Sequence, residues 1–477
     1  MTEALPRSAG GAAAPALSAT ELAGLTGGRL LRTSGRPIRG GAVDSRLVEP
    51  GNLFVALPGE RTDGHRFLAA AVAAGASALV VSQQQATSEL DTLGDVTVIL
   101  VRDGLTALGA IAAGWRRRFN PLVVGVTGSI AKTSTKEAAA AVLGRRFRTL
   151  RSEGNQNNEI GLPLTLLRLT PEDEAAVLEM GMYVGGEIAD LAAMAQPRIG
   201  VVTAVQPVHL SRIGTIEAVE QAKGELVEAL PADGTAILNA DDPRVLRMAD
   251  RTAARILTYG LSEAADVGAD QVTSAGTNGM RFALRLPGGV RRDAVTPALG
   301  RHGVHNGLAA AAVGQAAGCT PEEIVAGLSD GWSAPHRDSL IRAGEVTILD
   351  DSYNASPGSV LAALDLLATL PAVRRVAVLG EMLELGDAHE AGHREVGRAA
   401  AGVAELLVVV GDGAAALADA ALEAGLPADR VLRAPDAGAA LDCLRPRLRS
   451  GDAVLVKASR GIALDGLVAR MVAEFQG

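Results

Sequence analysis

Aromatic side chains are nearly absent: Phe, Trp and Tyr make up 2% of the 477 residues, although 48% are hydrophobic. Cores must therefore be built from Val, Leu, Ile and Ala, as in layered α/β proteins. Cysteine is as scarce. Cys319 and Cys443 are the only two, which excludes a disulfide framework and a cysteine metal site. Both lie in apolar helical patterns and are expected to be buried thiols. No apolar run is long enough to cross a bilayer. Residues 1–18, rich in Ala, Gly and Pro and carrying Glu3 and Arg7, lack the apolar centre of a signal peptide. A soluble cytoplasmic protein without an integral membrane segment is expected. Nor is there an excess of positive charge. A formal charge of −9 and a pI near 5.4 argue against a nucleic-acid or anionic-membrane surface.

The chain is too long for one core and suggests about three domains. No internal repeat is present. Short Val/Ile/Leu strands alternate with Ala-rich helices, the pattern of parallel sheets. Strands are expected at Leu53–Leu57 and Ala78–Val81 around a helix Arg66–Ala74. The charged stretch Trp115–Pro121 makes a first boundary and Ser333–Arg337 a second. Between them runs an α/β region interrupted by a Gly-rich, β-type segment, Val267–Pro297. The remainder reads as strands Val346–Leu349, Arg375–Leu379, Leu406–Val410 and Ala453–Val456 separated by helices, a small doubly wound fold.

The most informative segment is Thr127-Gly-Ser-Ile-Ala-Lys-Thr-Ser-Thr-Lys-Glu137. An apolar strand, Pro121–Thr127, precedes it and a helix, Glu137–Leu143, follows. A tight strand-to-helix turn ending in Lys-Thr is the layout of a phosphate-binding loop. Backbone N–H groups of Thr127, Gly128, Ser129, Ile130, Ala131, Lys132, Thr133 and Ser134 would wrap the phosphates. Lys132 would supply a point charge and Thr133 a hydroxyl for Mg²⁺. Strict spacing wants Gly where this chain has Val126 and Ala131, and the alternative is an ordinary turn with a surface lysine.

Further polar groups stand at or beyond strand ends, where open α/β sheets bind ligands. Glu179 ends one such strand and His209 lies beyond another. With Thr133 they could converge on one Mg²⁺, for which oxygen ligands are the usual choice. Taken singly, Glu179 reads equally as a surface carboxylate and His209 as a packing histidine. Lys223 looks like a solvated helix lysine. Asp350-Asp351-Ser-Tyr-Asn-Ala-Ser-Pro357 and Lys457-Ala-Ser459-Arg460-Gly461 each pair a strand end with a polar turn, and for both helix capping competes with ligand binding.

Taken together, these residues resemble the Mur ligases, ATP-dependent amide-forming enzymes of peptidoglycan precursor synthesis. The resemblance rests on Asp44-Ser-Arg46, Gly51–His65, Gly154-Asn-Gln-Asn-Asn-Glu-Ile-Gly-Leu-Pro163, Leu178-Glu-Met-Gly181, Asp350–Ala355, Leu379–Gly386 and Lys457–Gly461. It covers nearly the whole chain in the family's order. Within the family these segments look most like the branch that adds D-alanyl-D-alanine to a UDP-N-acetylmuramoyl-tripeptide.

The resemblance implies an α/β chain of three domains. They are an N-terminal domain for the nucleotide-linked peptide (20–118), a central P-loop-type parallel-sheet ATPase domain (119–335) and a C-terminal Rossmann-like domain for the incoming amine (336–477). It further implies that Lys132, Thr133 and Arg337 meet the ATP phosphates, and that Asn306 meets the adenine and Asp351 the ribose. Thr133, Glu179, His209 and Lys223 would serve two Mg²⁺ ions, Lys223 as a carbamate. Ser45, Arg46, Asn157, Asn158, Asn354, Lys457, Ser459 and Arg460 would meet the substrates. The partners are small molecules and the expected state is a monomer. Ala131, Ala204 and Gly303 depart from the family's pattern, and Ala131 fits only if its φ is negative. Two alternatives stay open: a ligase of the same family with another acceptor in specialised metabolism, and a degenerate nucleotide-binding regulator.

Overall fold

The structure, a computed structural model, describes residues 15–59, 62–83, 92–207 and 210–476. It divides into two compact units, residues 1–121 with 159–174, and residues 122–158 with 175–477.

In the first unit, strands β1 (Arg29–Arg32), β2 (Gly41–Ala42), β3 (Leu53–Val55), β4 (Ala78–Val81) and β5 (Thr97–Leu100) form one sheet in the order β1-β5-β4-β3-β2. Only β1 runs antiparallel to its neighbour. The expected helix Arg66–Ala74 forms as a 3₁₀ turn, Gly64–Phe67, followed by α-helix Leu68–Ala73. Asp63 caps that turn by accepting from the His65 N–H. Helix Gly104–Arg116, N-capped by Asp103 at 2.7 Å, packs against Gly161–Leu166, a helix inserted between two strands of the other unit. The Trp115 indole N–H donates to Leu169 O at 3.0 Å and fixes that insert.

The second unit carries two sheets. The larger holds β6 (Leu122–Thr127), β7 (Thr149–Arg151), β8 (Ala175–Glu179), β9 (Ile199–Val202), β10 (Thr235–Asn239), β11 (Arg255–Gly260), β12 (Val267–Ser274), β13 (Met280–Leu286) and β14 (Val290–Thr296). Their order is β14-β13-β12-β11-β10-β9-β6-β8-β7. The strands from β7 to β12 are parallel, and the central ones, β6, β8, β9 and β10, are the buried runs that a parallel sheet covered on both faces calls for. The Gly-rich segment Val267–Pro297 is an antiparallel extension of this same sheet.

Scarcity of aromatics shows in how helices meet. Helix Lys132–Leu143 lies against Gly300–Ala316, whose Ala309–Ala312 run is fully buried. A Cβ on Gly327 of helix Pro321–Asp330 would stand 2.5 Å from Val142 Cα, so this helix too approaches at backbone distance. Small residues thus clamp the phosphate-loop helix from two sides. Cys319 is buried, but in the turn after Gly300–Ala316, whereas Cys443 lies in helix Ala437–Leu444 and is only half-buried. The expectation of two buried helical thiols therefore does not hold.

The smaller sheet holds β15 (Ser339–Ala343), β16 (Val346–Asp350), β17 (Arg374–Gly380), β18 (Leu406–Val410), β19 (Val431–Ala434) and β20 (Asp452–Lys457), in the order β15-β16-β20-β17-β18-β19. All but the edge strand β15 are parallel. Helices cover both faces, each with its own apolar cluster. The chain crosses from β16 to β17 and returns between them as β20, which pairs Asp350 with Val456 and brings Asp351 and Lys457 together at the binding end.

Candidate active site

Strand β6 ends at Thr127 and the next helix begins at Lys132. Gly128 sits at φ 147°, and a Cβ there would fall 1.8 Å from Thr203 Oγ1, so no side chain fits. The turn is then stitched to the chain leaving β9. Ser129 N donates to Ala204 O at 2.7 Å, Thr203 Oγ1 donates to Ile130 O at 2.6 Å, and Gln206 N donates to Ser129 Oγ at 2.8 Å. With Ser129 and Ile130 held this way, the chain enters the helix only through a left-handed Ala131, φ 65° and ψ 0°. This corrects the expectation of a negative φ. The methyl group is accommodated at a strain of about 1–2 kcal/mol. The Thr127 hydroxyl, buried beneath the loop, has no hydrogen-bond partner.

Lys132 folds back over the loop, its ammonium 2.7 Å from Gly128 O and 3.5 Å from Ser129 O. Burial lowers its pKa; the Glu179 carboxylate partly restores it and the Arg337 charge lowers it further. Thr133 Oγ1 donates to Glu179 Oε2 at 2.9 Å, and Asn157 Nδ2 donates to Oε1 at 2.7 Å. Glu179 is 1% exposed, and its own N–H donates to Ser152 Oγ at 3.2 Å. The structure therefore brings together Lys132, Thr133, Glu179 and Asn157. Asn158 follows, half-buried in the same loop.

Lys136, which sequence reasoning passed over, holds that loop. It is fully buried, donates to Ser152 O at 2.6 Å and pairs with Glu137 at 2.8 Å. Its signal was spacing: four residues after Lys132, it shares the inward helix face. Lys223, on helix Ile216–Glu228, is 2% exposed rather than solvated. Among the described residues no hydrogen bond or ion pair reaches its amine. Burial pushes its pKa well below the usual lysine range, and the Lys132 charge adds to the shift. His209 lies outside the described residues.

Beside the loop a cavity of about 190 Å³ is walled by Ser134, Asn306, Gly303, Trp332, Arg337 and Asp338, among others. Asn306 is buried and accepts a long 3.5 Å bond from Thr135 Oγ1. The Arg337 guanidinium lies 4.3 Å from the centre of the Tyr353 ring. Asp338 pairs with His302 at 3.1 Å. Burial works against the charged form of His302, but Asp338 outweighs it and raises the imidazole's pKa.

The remaining candidates are differently engaged. Asp351 is not among the cavity's walls; its carboxylate meets the buried Lys457 ammonium at 2.5 Å. Burial pushes Asp351 up to about 6 against the downward pull of Lys457. Lys457 also donates to Asn354 O at 2.8 Å. Ser459 Oγ is used by Leu383 N at 2.8 Å, and Arg460 pairs with Asp465 at 3.0 Å above the Tyr353 ring. In the first unit, the Arg46 guanidinium grips Asp44 at 2.9 and 2.6 Å, beside Ser45.

Mg²⁺ and ATP are implied by such a loop, and the donor set fits them. Thr133 and Glu179 offer hard oxygens, and no group of three or more His, Cys, Asp or Glu forms a closed cage among the described residues. A site leaning on few protein oxygens, with phosphate and water completing it, is what Mg²⁺ favours.

A strand-to-helix phosphate loop at the end of a parallel sheet defines a nucleotide-binding protein of the P-loop type. The chain matches the Mur ligase middle domain over residues 126–314, the Mur ligase glutamate ligase domain over 336–460 and the Mur ligase family catalytic domain over 37–116. It belongs to the Mur ligase family, with the three domains expected. Among its relatives, the UDP-N-acetylmuramoyl-tripeptide--D-alanyl-D-alanine ligase of Synechocystis sp. is 38% identical, over 90% of this chain and 91% of the relative. The crystal structure of MurF from Acinetobacter baumannii superimposes with a TM-score of 0.85 at 29% identity, covering 96% and 99% of the two chains. MurF ligase from Thermotoga maritima, solved in complex with ADP, gives 0.80 at 27% identity, covering 92% and 98%.

Proposed function

We propose that this chain is the ATP-dependent ligase that joins D-alanyl-D-alanine to UDP-N-acetylmuramoyl-tripeptide in peptidoglycan precursor synthesis. The observation that carries the reading is the convergence of Lys132, Thr133, Glu179 and Asn157 at one loop mouth, in a chain that resembles such ligases along its length. The tripeptide carboxylate attacks the γ-phosphorus of ATP, the bond to the leaving ADP oxygen breaks, and an acyl phosphate forms. The dipeptide amine then attacks the acyl carbon, phosphate departs, and the amine's proton is lost.

In that sequence the loop amides and Lys132 neutralise charge on the transferred phosphoryl oxygens. Arg337, with no hydrogen bond or ion pair to a carboxylate among the described residues, adds a second cation, and Asn306 would face the base. Thr133 and Glu179 would hold Mg²⁺, which supplies Lewis-acid neutralisation of the phosphates. Lys223 is the position for a second metal, as a carbamate formed with CO₂. An isolated buried ammonium suits no cation site, whereas a carbamate offers an oxygen ligand. Asn354, Lys457, Ser459 and Arg460 bear on the amine substrate, and Ser45 and Arg46 on the uridine nucleotide. The reading places the enzyme in the cytoplasm as a monomer; no described helix is long and apolar enough to cross a membrane.

The test is a product assay with ATP, the tripeptide nucleotide and D-alanyl-D-alanine, on the native chain and on Lys132→Ala. The pentapeptide nucleotide and phosphate should form in equal amounts with the native chain. Lys132→Ala should lose about a thousandfold in rate. Near-native turnover by the variant would remove the phosphate-loop assignment, and another favoured acceptor would reassign the substrate.

A further inference from the structure

We infer that His336 and Asp350 form a positioning pair for Arg337, a role that rests on the phosphate-binding reading of Arg337 above. The linker from helix Pro321–Asp330 to β15 contains two non-glycine residues with left-handed backbone, His336 at φ 58° and Asp338 at φ 47°. They flank Arg337 on both sides. Such a conformation is strained for a residue that carries a Cβ and persists only where the surroundings impose it.

The surroundings do impose it, through one carboxylate. Asp350, 2% exposed at the end of β16, meets His336 Nδ1 with Oδ2 at 2.8 Å. Its Oδ1 accepts from Ser352 N at 3.1 Å and from Ser352 Oγ at 2.6 Å. The next N–H, that of Tyr353, donates to His336 O at 3.1 Å, and Arg337 N donates to Ala334 O at 3.2 Å. Asp350 therefore fixes both the residue before Arg337 and the residue before Tyr353, whose ring carries the guanidinium at 4.3 Å. Downstream, Asp338 is held by His302 at 3.1 Å.

Among the described residues, nothing else restrains the Arg337 head. No carboxylate or carbonyl takes its N–H groups, so all five donors remain for an anion. An arginine left unpaired has many rotamers to lose when it binds phosphate. Stacking on a ring whose place is fixed, from a backbone with one permitted direction, removes much of that loss in advance. The strain at His336 is the structural counterpart of this pre-ordering. Because His336 is not among the cavity's walls, its effect on a bound phosphate passes through Arg337 and the Tyr353 ring beneath it.

The experiment measures calorimetric binding of a non-hydrolysable ATP analogue, with steady-state rates, on four full-length variants: Arg337→Ala, His336→Gly, His336→Asn and Arg337→Ala/His336→Gly. Glycine relieves the backbone and removes the imidazole. Asparagine tolerates the left-handed region and keeps an N–H for Asp350. Arg337→Ala and His336→Gly should each weaken binding about tenfold, and the double variant should be no weaker than Arg337→Ala. His336→Asn should bind as the native chain does, and His336→Gly should melt no lower. An additive loss of about a hundredfold in the double variant overturns the pair as a positioning device. So does native binding by His336→Gly when Arg337→Ala is impaired. Native binding and turnover by Arg337→Ala would instead strike the phosphate reading of Arg337, and the proposal with it.

Discussion

Two lysines, Lys223 beside the central sheet and Lys457 at the end of β20, are equally hidden from water, each 2% exposed. Lys457 meets Asp351 at 2.5 Å and Asn354 O at 2.8 Å, so its charge is compensated within the protein. Lys223 has neither a carboxylate nor a carbonyl as hydrogen-bond or ion-pair partner among the described residues, and the nearby Lys132 charge repels it. A buried cation with a full set of partners is stable as a cation. One without partners is stable only as something other than a cation, and so marks where chemistry is to be added.

The largest expected effect is on catalysis. Lys223→Ala should lose about a hundredfold or more in turnover, and a short carboxylate in the buffer should restore part of it. Lys223→Arg should not be rescued, because the guanidinium stays charged and fills the space. Full activity of Lys223→Ala in CO₂-free buffer would erase the distinction between the two lysines.

Stability should separate them in opposite directions. Lys457→Met strands the Asp351 carboxylate and should cost about 3–5 kcal/mol in denaturant unfolding at neutral pH. Adding Asp351→Leu should recover most of that. In CO₂-free buffer, Lys223→Met should instead be more stable than the native chain. Its amine pKa is depressed on folding, so between the folded and the ordinary lysine value the unfolded chain binds a proton that the folded chain has lost. Native stability therefore rises with pH toward the ordinary lysine pKa, and the advantage of Lys223→Met should shrink as that value is approached. A destabilised Lys223→Met with no such pH trend would mean that the amine has an unrecognised partner.

The smallest effect concerns Ala131. Ala131→Gly relieves a left-handed alanine at φ 65° and should raise stability by about 1 kcal/mol in thermal or denaturant unfolding, with an unchanged or lower KM for ATP. A loss of stability would show that the loop tolerates the methyl group without strain.

These tests also mark how far the sequence could be read. The phosphate loop, Glu179 at its strand end and the alternation of strands with helices follow from local pattern. Apolar runs and Gly/Ser/Thr turns carry that information within a few residues. The φ of Ala131 does not, because Thr203 and Ala204, more than seventy residues away, impose it. The isolation of Lys223 was equally hidden: Glu220-Gln-Ala-Lys-Gly-Glu225 is a polar helix segment, and the burial comes from tertiary packing. Resemblance pointed to Lys223 where composition could not. The pairing of His336 with Asp350 escaped because an unusual backbone at His336 has no signature in an Ala-Pro-His-Arg stretch.

The inserted segment Glu159–Glu174 has a consequence for synthesis on the ribosome. The first unit includes this segment, with Leu169 O holding Trp115, yet its codons begin 38 residues after the unit's main body ends at Pro121 and finish 53 residues after it. At roughly 5–20 residues per second, that body waits a few seconds for its last piece. During the wait the face of helix Gly104–Arg116 that the insert covers stays open, and β6 and the phosphate loop have already been made. The nascent chain therefore cannot complete its units strictly one after another, and a fragment ending near residue 121 lacks part of its own wall.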